Sequence, residues 1–458
     1  MSARGADLVR SAWHGAPDPG VPTARAPWGG VARATSKCHM QPGTLLTLDI
    51  EKPAAGGRML ARHNGQVVLV WGAIPGERVS ARVERVGKGV VFADTAEILN
   101  PSPDRRGDAG DWRCGGNVLA FVAYPRQRQL KGQIIQDALA RIGRVPLAAA
   151  PDVIGSPERG YRMRARLHAS NGQIGFYREG THTLCGAGQT RQLADATIAW
   201  IEQAEQIVER QSLEGLAALE LAENISGDQR ACHLELHAGA DVATFKVMAD
   251  GLGGLSASRA DQPGVEVLSG APVITDTVRG VHLQRDVRAF FQGNRFLVEP
   301  LVEHVIARVR PGPVVDLYAG VGLLGLSLAA SGTSSVIAVE GDPVSGLDLQ
   351  ANAEPFSDRV RVERRSVEQF VALVRDRKED LTGATMIVDP PRTGMSKEAL
   401  AGAIGLHPGR LVYVSCDVAT FARDTRTLID AGYELAELTG VDLFPNTAHV
   451  ESVAVFRR

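Results

Sequence analysis

Three patterns predict an α/β protein built in three parts. From about residue 286, short β-branched runs alternate with helical stretches, as right-handed βαβ units in a mostly parallel, Rossmann-like sheet do. Residues 40–100 give short strands broken by AAGGR, IPGE and VGKG, the spacing of a compact β-barrel. Residues 101–285 form a further β-rich region. A length of 458 residues suits about two to four domains.

The formal net charge is −2, so bulk charge does not announce a polyanion binder and any basic surface must be local. Five cysteines at 38, 114, 185, 232 and 416 include no CxxC pair. That argues against a disulfide framework and a zinc module, and for a reducing, cytoplasmic setting. No apolar run is long enough for a membrane span. Residues 1–39 mix Ala, Gly, Pro and Arg without a period and are expected to be disordered. Met40 is a candidate start, since patterning begins just after it.

In the first part, TLLTLDIEK, QVVLVWGA, RVSARVERVGK and VVFADTAEIL read as four strands. Arg78, Arg82, Arg85 and Lys88 punctuate the third run, either as solvated edge residues or as phosphate contacts. Pro101–Val145 is the locally basic stretch, with eight Arg/Lys against four acids. Within it YPRQRQLKGQIIQDALARIG has helical spacing, with Leu130, Ile134, Ile135, Ala138, Leu139 and Ile142 on one stripe. A solvated basic face and RNA contact are both open there.

GYRMRARLHA alternates strictly, placing Arg162, Arg164 and Arg166 on one strand face. Three cations in a row repel unless an anion or acidic partner faces them, which makes them the phosphate-binding candidates of this region. IGFYREGTH reads as a paired hairpin strand, 196–224 as helical, and HLELHAG and TFKVMAD as strands. Cys232 reads as a small core residue.

The carboxyl-terminal part carries the chemistry. VVDLYAGVGLLGLSLA is strand, glycine turn and helix; Gly320 and Gly322 let backbone approach a ligand beside a donor-rich helix N-terminus. Glu340 ends the next strand, where an acid binds ribose hydroxyls or caps a helix with Asp342. DPPRTG makes a rigid strand-end platform with Asp389 facing a ligand. VSCD puts Cys416 at a strand exit before a helix, where its thiolate would be stabilised. HVES places Glu451 at the start of the last strand; an acid entering an apolar strand with a raised pKa suits a general base.

FFQGN (Phe290–Asn294), DLYAGVG, DPPRTG, SCD and HVES, in that order, resemble the RNA uridine-5-methyltransferase family, the 23S rRNA and tRNA 5-methyluridine enzymes. Residues 40–100, with IPGERV at the central turn, resemble the TRAM domain, an OB-like RNA-binding module. The resemblance implies a class I, S-adenosylmethionine-dependent methyltransferase domain over 286–458, an OB-like barrel over 40–100 and a central RNA-binding domain over 101–285. It implies Cys416 as the nucleophile at carbon 6 of a flipped-out uracil and Glu451 as the base at carbon 5. Gln292, Tyr318, Glu340 and Asp389 would hold the cofactor with Gly320 and Gly322. Base flipping is needed because the attacked edge is blocked within a stack.

Many members of that family hold an iron–sulfur cluster on a cysteine-rich run. Here DWRCGGN keeps Cys114, with Asn117 where another ligand would stand and Cys185 as a remnant of a later one. Two thiolates cannot hold such a cluster, so no iron–sulfur cluster and no other metal is expected. RNA is the expected partner, rRNA ahead of tRNA, with no membrane and no obligate protein partner. Alternatives are a tRNA 5-methyluridine enzyme, an RNA 5-methylcytosine enzyme, and a non-catalytic RNA-binding protein.

Overall fold

The computed structural model describes residues 40–107, 109–333 and 335–458. The expectation of disorder for residues 1–39 lies outside the described residues. Five strands close a barrel: β1 (Leu45–Pro53), β2 (Met59–His63), β3 (Gln66–Trp71), β4 (Arg78–Val86) and β5 (Val90–Asn100). Along β1 every second side chain is inside, so Leu46, Leu48 and Ile50 form one wall of the barrel core. The strand that sequence reading missed is β2, five residues just after the Gly56–Gly57 turn. Arg85 stacks over the Phe92 ring at 3.5 Å, and Arg58 lies between Phe92 and Trp71. Part of the barrel's positive charge is thus held against rings.

Helix α1 (Tyr124–Ala138) starts with proline in its first turn, where a missing N–H costs nothing. Its apolar stripe is buried from Leu130 to Leu139, while Ile142 beyond the helix is 47% exposed. The basic face expected on this helix is not wholly solvated, because Lys131 and Gln127 are fully buried. A two-residue strand, β6 (Val153–Ile154), follows.

The central sheet contains β7 (Arg164–Ser170), β8 (Gln173–Tyr177), β9 (Leu184–Gly186), β10 (Leu216–Glu223), β11 (Arg230–Leu236), β12 (Gly254–Arg259) and β13 (Gln262–Gly270). They lie in the order β13-β12-β11-β10-β7-β8-β9. Helix α2 (Asp195–Arg210) packs Trp200, Ile201 and Ala204 on Leu167, Leu219 and Leu234 of one face. The helical reading of 196–224 is correct only to Arg210. LAALELAE has helix-forming composition, but it pairs with β7 and β11 as β10, so sheet pairing overrides propensity. TFKVMAD, expected as a strand, is instead a tight helical turn over Val242–Ala249, capped by Asp241.

The cysteines also depart from expectation. Cys114 and Cys185 form a disulfide, with Cα atoms 5.9 Å apart across a sequence separation of 71. The loop bearing Cys114 pairs with the β8–β9 hairpin, Gly115 N donating to Tyr177 O at 3.0 Å, and this brings together two cysteines that sequence spacing kept apart. Cys232 lies in the core of this sheet.

Strands β14 (Val273–Val278) and β15 (Val281–Asp286) form a separate hairpin. The rest alternates: α3 (Val298–Ile306), β16 (Val314–Leu317), α4 (Leu323–Ala330), β17 (Val336–Glu340), α5 (Pro343–Asn352), β18 (Val360–Arg364) and α6 (Val367–Arg377). Then come β19 (Thr385–Val388), α7 (Lys397–Gly405), β20 (Arg410–Ser415), α8 (Val418–Asp430), β21 (Glu434–Val441) and β22 (Glu451–Arg457). The sheet runs β18-β17-β16-β19-β20-β22-β21-β6, parallel from β18 to β20. Apolar clusters cover both faces, so strands such as β17 read as near-continuous hydrophobic runs. The β21–β22 pair is present as expected but is not the edge. β6, from the middle of the chain, lies parallel to β21 and takes that place.

Candidate active site

Strand order reverses beside β16, whose neighbours are β17 and β19, so their carboxyl ends open a crevice at the switch point of the sheet. Register fixes what lines it. Leu317 pairs with Val339 and Val388, which sets Tyr318, Glu340 and Asp389 side by side one residue on. In the antiparallel ladder of β20 and β22, Ser415 pairs with Ser452, so the next rung brings Cys416 opposite Glu451. Gln292 reaches the same place from the loop before α3, its Nε2 donating to Asp389 Oδ2 at 3.2 Å.

The glycine turn is held open from below. Tyr318 and Gly320 adopt φ of 62° and 58°, conformations that are costly for a tyrosine and free for glycine. A Cβ on Gly320 would meet nothing within 4 Å, whereas one on Gly322 would strike Leu326 at 2.5 Å. Gly322 is therefore required by packing, and Gly320 borders open space. Glu340 does not cap the following helix; Asp342 does, accepting from Val344 and Ser345 N–H. Glu340 accepts instead from Gly320 N at 2.7 Å and Asp342 N at 2.6 Å, tying the turn to the next strand end. Burial raises its pKa. Asp316 beneath it accepts from Gly325 N at 2.8 Å, has its other oxygen buried without a partner, and is pushed by burial up to about 8.

The cysteine environment differs from the expectation. Burial, then the Glu451 and Asp389 carboxylates, push the Cys416 thiol up to about 12 against the pull of Arg392. The helix that should stabilise a thiolate has its first donors engaged, because Asp417 Oδ1 accepts from Ala419 N and Thr420 N at 3.0 and 2.8 Å. Glu451 is raised well above the carboxylate range by burial and by Asp389, again against Arg392. Asp389 is raised by burial.

Arg392, within the quoted DPPRTG but given no role there, bears on Cys416, Glu451 and His449 alike. Its place directly after the Pro-Pro was the available signal. His449, edge-on to Phe444 at 6.3 Å, is held down to about 4 by burial and by Arg392, Lys131 and Arg162.

The three arginines do not act as a set. Arg162 lies before β7, half-buried between the Phe176 and Phe444 rings, and donates to Gln192 Oε1 at 2.7 Å. Arg164 pairs with Glu220 at 2.9 Å and Arg166 with Glu235 at 2.5 Å. The acidic partner their repulsion required is thus supplied within the sheet, by the neighbouring β10 and by β11 one strand further on. Only Arg162 turns toward the crevice residues.

A tRNA (Uracil-5-)-methyltransferase family model matches residues 274–458, and a TRAM domain model matches 40–96. An uncharacterized RNA methyltransferase of Parasynechococcus marenigrum is 30% identical over 91% of this chain and 96% of its own. A 23S rRNA (uracil(1939)-C(5))-methyltransferase of Shewanella amazonensis is 28% identical over 90% of this chain and 95% of its own. The Pyrococcus abyssi tRNA (uracil-54, C5)-methyltransferase, solved with S-adenosyl-L-homocysteine, shares the fold with a TM-score of 0.72. It is 23% identical over 92% of this chain and all of that one. The chain belongs to the TRAM-containing, S-adenosylmethionine-dependent RNA (uracil-5-)-methyltransferase family.

Proposed function

We propose that the protein methylates carbon 5 of a uridine in 23S rRNA, with Cys416 as nucleophile and Glu451 as base. The observation that carries the reading is the β20–β22 register, which sets a thiol and a raised carboxyl on facing strands beside a glycine-turn crevice. The open space at Gly320, the two-handed Glu340 and the Gln292–Asp389 pair are a donor and acceptor set that fits an adenosine-type cofactor. When bound, S-adenosylmethionine supplies an electrophilic methyl group.

In this reading the Cys416 thiol gives up its proton to solvent and Sγ adds to carbon 6 of the flipped uracil. The 5,6 electron pair makes carbon 5 nucleophilic toward the methyl group, whose leaving group is S-adenosylhomocysteine. After methylation Glu451 takes the proton from carbon 5. That C–H electron pair re-forms the 5,6 double bond, and the carbon 6–sulfur pair returns to Cys416. Glu451 must be ionised to take that proton, the form that neighbouring Arg392 favours against burial and Asp389. Arg392, beside both, balances the charge they exchange. Arg162 contacts the flipped nucleotide, and Arg164 and Arg166 contact phosphate while sharing their acids.

Support for rRNA comes from the Shewanella relative and the TRAM domain. The Pyrococcus fold match keeps tRNA as a second reading. Incubating the protein with labelled S-adenosylmethionine and unmodified 23S rRNA or tRNA transcripts separates them. Labelled 5-methyluridine in rRNA is expected; label only in tRNA, or only as 5-methylcytidine, would overturn the assignment. Cys416→Ala should abolish covalent trapping on 5-fluorouridine RNA, and a surviving adduct would remove Cys416 from the mechanism.

A further inference from the structure

We infer that Gln127 and Lys131 of α1 are positioning residues for Glu451, acting through the Asp442–Asn446 turn that leads into β22. The inference rests on the reading of Glu451 as the base. Lys131 and Asp442 are both fully buried and paired at 2.5 Å, and Lys131 Nζ also donates to Phe444 O at 2.9 Å. Gln127 grips the turn from two sides. Its Nε2 donates to Asn446 Oδ1 and its Oε1 accepts from Asn446 N, each at 2.9 Å. Asn446 stands at φ 64°, a left-handed conformation that asparagine tolerates when its side chain is bonded locally.

Three further carbonyls of the turn are taken by groups from distant segments. Asn294 Nδ2 donates to Leu443 O at 3.1 Å, Tyr161 OH to Pro445 O at 3.2 Å and Leu119 N to Asn446 O at 2.8 Å. Five residues after this turn the chain delivers Glu451 opposite Cys416.

Burying a lysine and an aspartate costs more desolvation than an apolar pair would, so their presence needs a reason other than stability. Fixing the approach of a base to one proton is such a reason. Base catalysis needs the acceptor within hydrogen-bond reach, and a 1 Å error costs on the order of a hundredfold. The grip is applied to the turn and not to Glu451 itself, so loosening it leaves the cysteine and the cofactor crevice in place. Methyl transfer should then outlive release of the product.

The test measures methyl transfer from labelled S-adenosylmethionine and the fraction of RNA left covalently bound, using an unmodified 23S rRNA transcript. Glu451→Gln is the control and should accumulate methylated adduct; if it does not, the proposed reaction fails before this inference is reached. Gln127→Leu should accumulate the same methylated adduct, with release slowed roughly 10- to 100-fold and cofactor Kd within about twofold of wild type. A variant that is merely destabilised loses transfer and release together, and that outcome overturns the inference. So does wild-type release by Gln127→Leu when Glu451→Gln accumulates adduct. Should Gln127→Leu fail to bind cofactor, Asn446→Gly decides by the same ratio, since glycine keeps the backbone conformation while removing the gripped side chain.

Discussion

Alkylation of Cys416 in the free protein separates two accounts of this thiol. A cysteine at a strand exit before a helix is expected to ionise easily, whereas the structure surrounds it with buried carboxyls and pushes it up to about 12. Against an ordinary cysteine near 8.5, that is more than three pH units, or roughly a thousandfold less thiolate at neutral pH. At pH 7.5 about one molecule in ten thousand or fewer would carry the nucleophile. Iodoacetamide labelling read by peptide mass spectrometry, with Cys416→Ala as the blank, should rise about tenfold per pH unit through pH 9 without a plateau. Cys232 is in the core and Cys114 is bonded to Cys185, so neither competes for the Cys416 peptide. Glu451→Gln removes one of the carboxyls that push the thiol up and should speed labelling. A plateau with a midpoint below about 8.5 would refute the reasoning and restore the helix N-terminus as the dominant influence.

Lys131→Met strands a buried carboxylate and should cost about 3–5 kcal/mol in guanidinium unfolding, most of it recovered in Lys131→Met/Asp442→Leu. A single variant within about 1 kcal/mol of wild type would mean that the pair is not desolvated as its burial indicates. Asp316 ionises near 3.8 when unfolded and about 8 when folded, so its contribution to stability is full below the first value and is lost as pH rises through the second. Asp316→Asn should flatten the fall of Tm over that window, and an unchanged profile would contradict the burial of its carboxyl. Glu340→Gln puts an amide donor against one of two backbone N–H groups and should raise the S-adenosylmethionine Kd about 10- to 100-fold by calorimetry; an unchanged Kd would remove Glu340 from the cofactor site.

The carboxyl-terminal architecture was legible because several strands there are short apolar runs with a chemical signature at one end. The Asp316, Asp389, Cys416 and Glu451 segments each mark a strand end, and alternation with helices makes them converge. What was hidden depends on distant residues. LAALELAE has the composition of a helix and becomes β10 only because β7 and β11 flank it. Cys114 and Cys185 meet only because a loop folds back onto a hairpin. Lys131 counted as surface charge until its partner proved to be an aspartate 311 residues away. The local rule for Cys416 failed because burial and two carboxyls from distant strand ends, Glu451 and Asp389, push the thiol up.

The placement of α1 and β6 has a consequence for how the chain is made. Their partners, Asp442, Asn446 and β21, leave the ribosome some three hundred residues later. At about 5–20 residues per second, that is roughly fifteen seconds to a minute. Throughout that interval α1 has β6 beside it but not α8, β21 or the aspartate partner of Lys131. The nascent chain therefore offers a ready segment to holding chaperones. A fragment beginning at residue 286 would meet the converse problem, with the β21 edge bare and the turn before Glu451 ungripped.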